Sequence, residues 1–145
     1  MDDLNEILIR DAQADDEAFF FNALLQHYKH SSPHSKLIPD RCYYVEHKKL
    51  IDRQAQKQSN ILKIACLKDD PQVVFGFMWA NQEELTLHYC YVKKAFRRLG
   101  IAKLLFNTLF KKDDEIFYTH LTYDGGFITH SKGNFNFNPY KFYGA

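Results

Sequence analysis

Val92-Lys93-Lys94-Ala95-Phe96-Arg97-Arg98-Leu99-Gly100-Ile101-Ala102 joins two stretches of different periodicity, and its reading decides the fold. Upstream, Glu84-Leu85-Thr86-Leu87-His88-Tyr89-Cys90-Tyr91-Val92 alternates and is rich in β-branched and aromatic residues, which predicts a strand. Downstream, apolar residues recur at helical spacing from Ile101 to Phe110, which predicts a helix running to about Lys112. Strand, cationic turn and helix follow in that order. The first turn of a helix carries amide N–H groups without intrahelical acceptors, together with partial positive charge from the peptide dipoles. An anion docks well there. Gly100 lacks a Cβ, so an anion's oxygen can come close to the backbone and a positive φ is allowed. Ala102 keeps the next approach nearly as open. The bland alternative for the same residues is an ordinary helix start with a surface arginine pair.

Outward from this turn the chain reads as one domain. Ile7 to Arg10 is a short first strand, and Asp15 to Tyr28 an amphipathic helix with Phe19, Phe20, Ala23, Leu24 and Tyr28 on one stripe. Ser31-Ser32-Pro33-His34 breaks it. A second helix is expected from Pro39 or Asp40 to about Gln58, using Tyr43, Tyr44, His47, Leu50 and Ile51. Asn60 to Leu67 and Val73 to Ala80 form a hairpin around Asp69-Asp70-Pro71, and a further strand spans Glu115 to Thr122. The tail Asn134 to Tyr143 alternates polar and aromatic residues and fits a terminal strand. No linker, repeat or low-complexity segment interrupts residues 1–145.

Composition narrows the classes. A length of 145 residues can bury a real core, and a formal net charge of +1 does not argue for nucleic acid or a membrane as main partner. No run of about 18 apolar residues marks a membrane span. The acidic start, Met1 to Glu6, lacks the layout of a secretory signal. Three cysteines, at 42, 66 and 90, form no C-x-x-C pair, which fits reduced thiols and a cytoplasmic location. His27, His30 and His34 are read as a solvated helix end rather than a zinc site, because Pro33 interrupts the helix and no Cys or carboxylate cluster accompanies them.

Val92 to Ala102 resembles the central acetyl-CoA motif of the GNAT acyltransferases, in which an apolar strand end stands five positions before a Q/R-x-x-G-x-G/A loop. The resemblance is firm from Leu85 to Phe110 and architectural elsewhere, where the order β, α, α, β, β, β, α, β agrees with the family. It implies an α/β fold, with a mostly antiparallel mixed sheet, a splayed parallel strand pair and flanking helices. It also implies acetyl-CoA as acyl donor without a metal. Pantetheine would bond to backbone near Tyr91 and Val92, and the pyrophosphate would rest on the turn from Arg97 and Arg98 through Leu99, Gly100, Ile101 and Ala102 to Lys103. A backbone N–H near Tyr91 or Val92 would donate to the oxyanion. The implied reaction is attack by a primary amine, of a small molecule or a protein, on the thioester in a ternary complex.

Such a reaction needs a proton acceptor and a donor. Side-chain alternation puts Glu84, Thr86, His88, Cys90 and Val92 on one face of the strand. His88 stands where arylalkylamine-type members of the family carry a proton-relaying histidine, and its pKa class suits neutral pH. Histone-type members place a glutamate where this chain has Thr86, which weakens a lysine-acetylase reading. Glu84 could act through water. The alternatives are a strand histidine satisfied by its neighbours and a solvated carboxylate. For the acid, the family's tyrosine setting is missing from the glycine-rich stretch after Thr122; Tyr123, Tyr140 and Tyr143 remain, with Tyr140 the candidate taken forward. That departure keeps a second class open, a GNAT-fold module that binds CoA or a protein partner without catalysis. The acceptor and the oligomeric state, a homodimer included, are left open.

Overall fold

The computed structural model describes residues 6–111, 113–122 and 134–143. Strands β1 (Ile7–Asp11), β2 (Asn60–Leu67), β3 (Asp70–Asn81), β4 (Thr86–Val92), β5 (Glu115–Tyr118) and β6 (Asn134–Phe137) form one six-stranded sheet in the order β1-β2-β3-β4-β5-β6. The first four strands are antiparallel, whereas β4–β5 and β5–β6 are parallel. Helices α1 (Glu17–Ser31), α2 (Asp40–Ala55), α3 (Ile101–Leu109) and a short α4 (Tyr140–Tyr143) flank it. None of the described helices is long and apolar enough to cross a membrane.

The expected elements are present, with shifted ends. The hairpin turn is Lys68–Asp69, one residue earlier than expected, and Pro71 sits near the start of β3, where a missing N–H is tolerated. The strand expected from Glu84 begins at Thr86, because residues 82–85 form a turn in which Leu85 has φ 48°. The helix expected to reach Lys112 ends at Leu109, and β5 ends at Tyr118 rather than Thr122. The tail does form a strand, β6, as the alternation at Asn134 to Phe137 predicts, but then turns into α4.

Two cores lie on opposite faces of the sheet. Phe20, Leu24 and Tyr28 of α1 pack with Tyr43 and Ile51 of α2, Phe77, Trp79, Tyr89 and Phe142 on one side. Ile101, Leu105 and Leu109 of α3 form a single i, i+4, i+8 stripe against Phe75, Met78, Ala80, Leu87 and Ile116 on the other. The start of α1 is held from β1: Arg10 donates twice to the Asp16 carboxylate, at 2.7 and 3.0 Å. Those hydrogen bonds hold the Asp16 carboxyl below its ordinary range.

β3 and β4 approach closely at Gly76. A Cβ there would lie 2.3 Å from the Tyr91 carbonyl oxygen and 2.9 Å from the Val92 Cα, both rigid backbone atoms. Gly76→Ala is therefore expected to lower stability by about 2 kcal/mol or more, since overpacking that moves backbone falls at or above that scale. A urea melt with an unchanged midpoint would contradict this contact.

Candidate active site

One extra residue in β4 shapes the site. Trp79 of β3 pairs with Tyr89 and Ala80 with Leu87, so His88 is an unpaired bulge. A bulge re-aims side chains. Leu85, Leu87, Cys90 and Val92 face the α3 core, while Tyr89 and Tyr91 face the α1–α2 core, and His88 turns to that side against Trp79 and Phe142. The single face expected for Glu84, Thr86, His88, Cys90 and Val92 is thus corrected: parity along the strand inverts at His88.

Beyond the bulge, β4 parts from β5. The parallel register covers only Thr86 with Phe117 and Leu87 with Tyr118, extended by the Thr119 N–H donating to the Leu87 carbonyl at 3.1 Å. On its other side β4 stays paired: Tyr91 is opposite Phe77, and the Lys93 N–H donates to the Phe75 carbonyl at 2.8 Å. Backbone groups alternate between neighbours, so Cys90 and Val92 turn theirs to the splayed side. There the Val92 carbonyl accepts from Arg97 Nε at 2.7 Å. Among the described residues no strand pairs with this side of the edge from Tyr89 to Val92.

The turn before α3 adjoins that edge. Arg98 has φ 67° and Gly100 φ 86°, so two left-handed residues bend the chain into α3. The Leu104 N–H bonds to the Gly100 carbonyl at 3.0 Å, which leaves the amides of Ile101, Ala102 and Lys103 as the helix's orphan donors. No acidic side chain occupies this first turn and none caps it. Ile101 is buried and Leu99 half-buried, so their role at the surface is through backbone, whereas Arg98 and Lys103 are exposed. Arg97 differs from expectation: it ties back to Val92, and its guanidinium carbon lies 5.9 Å from the Tyr91 ring centroid.

The proton-transfer candidates are not brought together. Glu84 lies in the β3–β4 turn, where its Oε2 accepts from Asn81 Nδ2 at 3.0 Å and its N–H donates to Asn81 Oδ1 at 3.0 Å. It is an exposed turn residue, outside β4. Tyr140 opens α4 and is 78% exposed, and Tyr143 is 52% exposed. Tyr123 lies outside the described residues.

His88 is 1% exposed and engaged at both ring nitrogens, Nε2 with Asn60 Oδ1 at 3.1 Å and Nδ1 with Thr119 Oγ1 at 3.3 Å. Burial, with a smaller push from Lys57, lowers its pKa to about 3, so it is neutral at pH 7. Sequence reading missed its neighbours. Thr119 Oγ1 is 2.8 Å from His120 Nδ1, and His120 Nε2 is 3.0 Å from His47 Nε2 on α2. Burial lowers His47 to about 4 and His120 well below its ordinary range, the latter helped by His47 and His88. His47 had a visible signal, its place on the α2 stripe; His120 had none, because its contacts come from the splay. His27 bonds through Nδ1 to the Tyr89 hydroxyl at 2.5 Å, which separates it from the exposed His30 and His34. No group of three metal-ligating side chains occurs among the described residues. Cys90, beside the open edge, has its thiol pushed up to about 12 by burial and is no nucleophile at neutral pH.

No protein-family model matches the sequence, and no curated protein matches it. Solved structures do. YycN of Bacillus subtilis, provisionally designated an acetyltransferase, superposes with a TM-score of 0.57 at 12% identity, over 95% of this chain and 88% of that one. The aminoglycoside N-acetyltransferase AAC(6')-Iy, solved with CoA, gives 0.46 at 15% identity, over 91% and 76%. A protein of Staphylococcus aureus provisionally placed in the GNAT acetyltransferase family gives 0.47 at 18% identity, over 67% and 82%. With helices on both faces of a mixed sheet and its parallel β4–β5 pair opening after two residues, this chain has the fold of the GNAT acyltransferases.

Proposed function

We propose that this protein is an acetyl-CoA-dependent N-acetyltransferase acting on a primary amine. The observation that carries the reading is the adjacency of two backbone features, the side of β4 from Cys90 to Val92 with which no described strand pairs and where the Val92 carbonyl is taken up by Arg97, and the orphan amides of Ile101, Ala102 and Lys103 behind Gly100. An extended, amide-bearing pantetheine would pair with the first as an added strand does, and the pyrophosphate would sit on the second. Arg98 and Lys103 would add charge from exposed positions. Arg97 would hold the Val92 carbonyl and so shape the strand end.

Attack by the neutral amine forms the C–N bond, and the tetrahedral oxyanion needs a donor, a part that a backbone N–H on the open side of β4 would play. Collapse breaks the C–S bond and releases thiolate, and the proton that the amine nitrogen gives up passes to it, directly or through water, so that the products are the amide and CoA. Acetyl-CoA is expected to bind the wild-type protein at micromolar concentration in a calorimetric titration. Absence of heat at submillimolar cofactor would leave only the fold.

A further inference from the structure

Trp79 is 3% exposed, yet its indole N–H has no hydrogen-bond acceptor among the described residues. Buried tryptophan nitrogens ordinarily find a partner, because an unmet donor away from water is costly. Among the described residues the one fully sealed side-chain nitrogen or oxygen without a partner is Arg10 Nε, so the indole nitrogen is not sealed. The space that Trp79 borders is a half-open cavity of about 290 Å³ between the start of α1, the end of α2 and strands β2 and β3. Phe20 and Leu62 supply apolar walls, and the exposed Glu17 and Ala55 stand toward solvent. No described residue of β4 or α3 lines it, so it is separate from the open strand edge and from the turn before α3. The indole is held in place, with its ring 5.1 Å from that of Phe20 at 77°, 4.8 Å from His88 and 5.8 Å from Phe142. Asn60 also borders the cavity, but its amide is engaged by Gln54 and His88. Glu17 makes no ion pair among the described residues and carries the one full charge of the described lining.

We infer that this cavity is a second small-molecule site, and that its ligand is an uncharged carboxamide with a small apolar substituent. The buried wall offers a donor and the mouth an acceptor, with apolar surface between them. An amide matches that order: its carbonyl oxygen accepts from Trp79 Nε1–H, its apolar body lies against Phe20 and Leu62, and its N–H donates to the Glu17 carboxylate. The size agrees, since about 290 Å³ stands at the small end of ligand pockets and suits a molecule of one ring. A carboxylic acid would bring a second negative charge beside Glu17, and an ammonium ion offers the indole no acceptor. Acetylation turns an amine into an amide, so on the acetyltransferase reading the cavity tells product from substrate. The ligand class itself does not depend on that reading.

The chain has one tryptophan, so its proton–nitrogen spectrum holds one indole N–H resonance, which reports on the cavity directly. The wild-type protein is titrated, without CoA, with N-benzylacetamide, benzylamine and phenylacetate. The amide is expected to move that resonance downfield and saturably, with a dissociation constant on the order of 1 mM. Benzylamine should leave it in place at about ten times that concentration. Phenylacetate should move it only once Glu17→Gln removes the charge at the mouth. Trp79→Phe keeps a ring and loses the donor, and calorimetry should find the amide about fivefold weaker there. Ala55→Leu fills the mouth from an exposed helix position where leucine is a good helix former, and its indole resonance should stay fixed. A resonance that about 10 mM amide does not move, or that moves equally in Ala55→Leu, overturns the site. A wild-type response to phenylacetate or benzylamine as large as that to the amide overturns the ligand class. Failure of wild type to bind acetyl-CoA would overturn the acetyltransferase reading and leave this titration unchanged.

Discussion

Gly100→Val is expected to raise the dissociation constant of CoA about 100-fold while leaving α3 folded. Gly100 sits at φ 86°, where a β-branched residue is a genuine outlier. To escape, the chain must turn this peptide, and the amides of Ile101, Ala102 and Lys103 then lose their common aim. Hydrogen bonds to a charged group contribute about 1.5–3 kcal/mol each, so loss of one corresponds to roughly 10- to 150-fold. The α3 stripe of Ile101, Leu105 and Leu109 buries itself independently of the turn, which is why the helix persists. Two controls locate the effect. Arg98→Gly, at φ 67°, relieves backbone strain and removes one exposed charge, and should weaken CoA by less than about tenfold. Pantetheine, which lacks the pyrophosphate, should bind the Gly100→Val protein as it binds wild type. An equal loss for pantetheine would mean that the turn does not hold phosphate.

A steep loss of stability between pH 6.5 and pH 5 is the second expectation. His47, His88 and His120 all have folded-state pKa values lowered from the ordinary 6.5, to about 4, about 3 and well below, with burial as the main cause. In the unfolded chain these rings protonate as pH falls through about 6.5. The unfolded state then binds more protons than the native one, so stability is complete above that pH and lost below it, until the folded pKa is reached. One pKa unit is 1.36 kcal/mol, so at pH 5 the 1%-exposed His88 alone accounts for about 2 kcal/mol. Two further rings in the same cluster add to this, against a total that for most domains is about 5–15 kcal/mol. The Asp16–Arg10 pair does not contribute in this window, because its carboxyl takes up protons in the unfolded chain only near its ordinary value of 3.8, below pH 5. Urea midpoints that stay level from pH 7 to pH 5 would show that the rings are not buried neutral.

The regular elements were legible in the sequence because they obey local rules. Asn60–Leu67 and Ile101–Leu109 follow directly from alternation and from a 3.6-residue stripe, and the left-handed bend before α3 follows from a glycine that allows a positive φ. What failed did so for a tertiary reason. Alternation along β4 holds only while every residue pairs with β3, and the bulge at His88 is invisible until the partner strand is known. The face assignments of His88, Cys90 and Val92 therefore could not be read from spacing. His120 was missed likewise, since a single histidine after a strand acquires meaning only from a helix 73 residues away. Tyr140 looked suitable by type, but α4 buries Phe142 and leaves Tyr140 outward.

The bulge also sets how much length variation the chain can absorb. The turn between β2 and β3 lies at the surface, and residues added there would extend a loop without moving a side chain from one layer to the other. Within β4 the arithmetic is different. Adding or removing one residue between Leu85 and Tyr91 would exchange the side chains offered to α3 with those offered to α1 and α2, placing tyrosine rings where Cys90 and Val92 now pack. His88 thus acts as a counting residue, and among diverging copies of this gene insertions and deletions should spare this short strand while accumulating freely in the turn at Lys68 and Asp69.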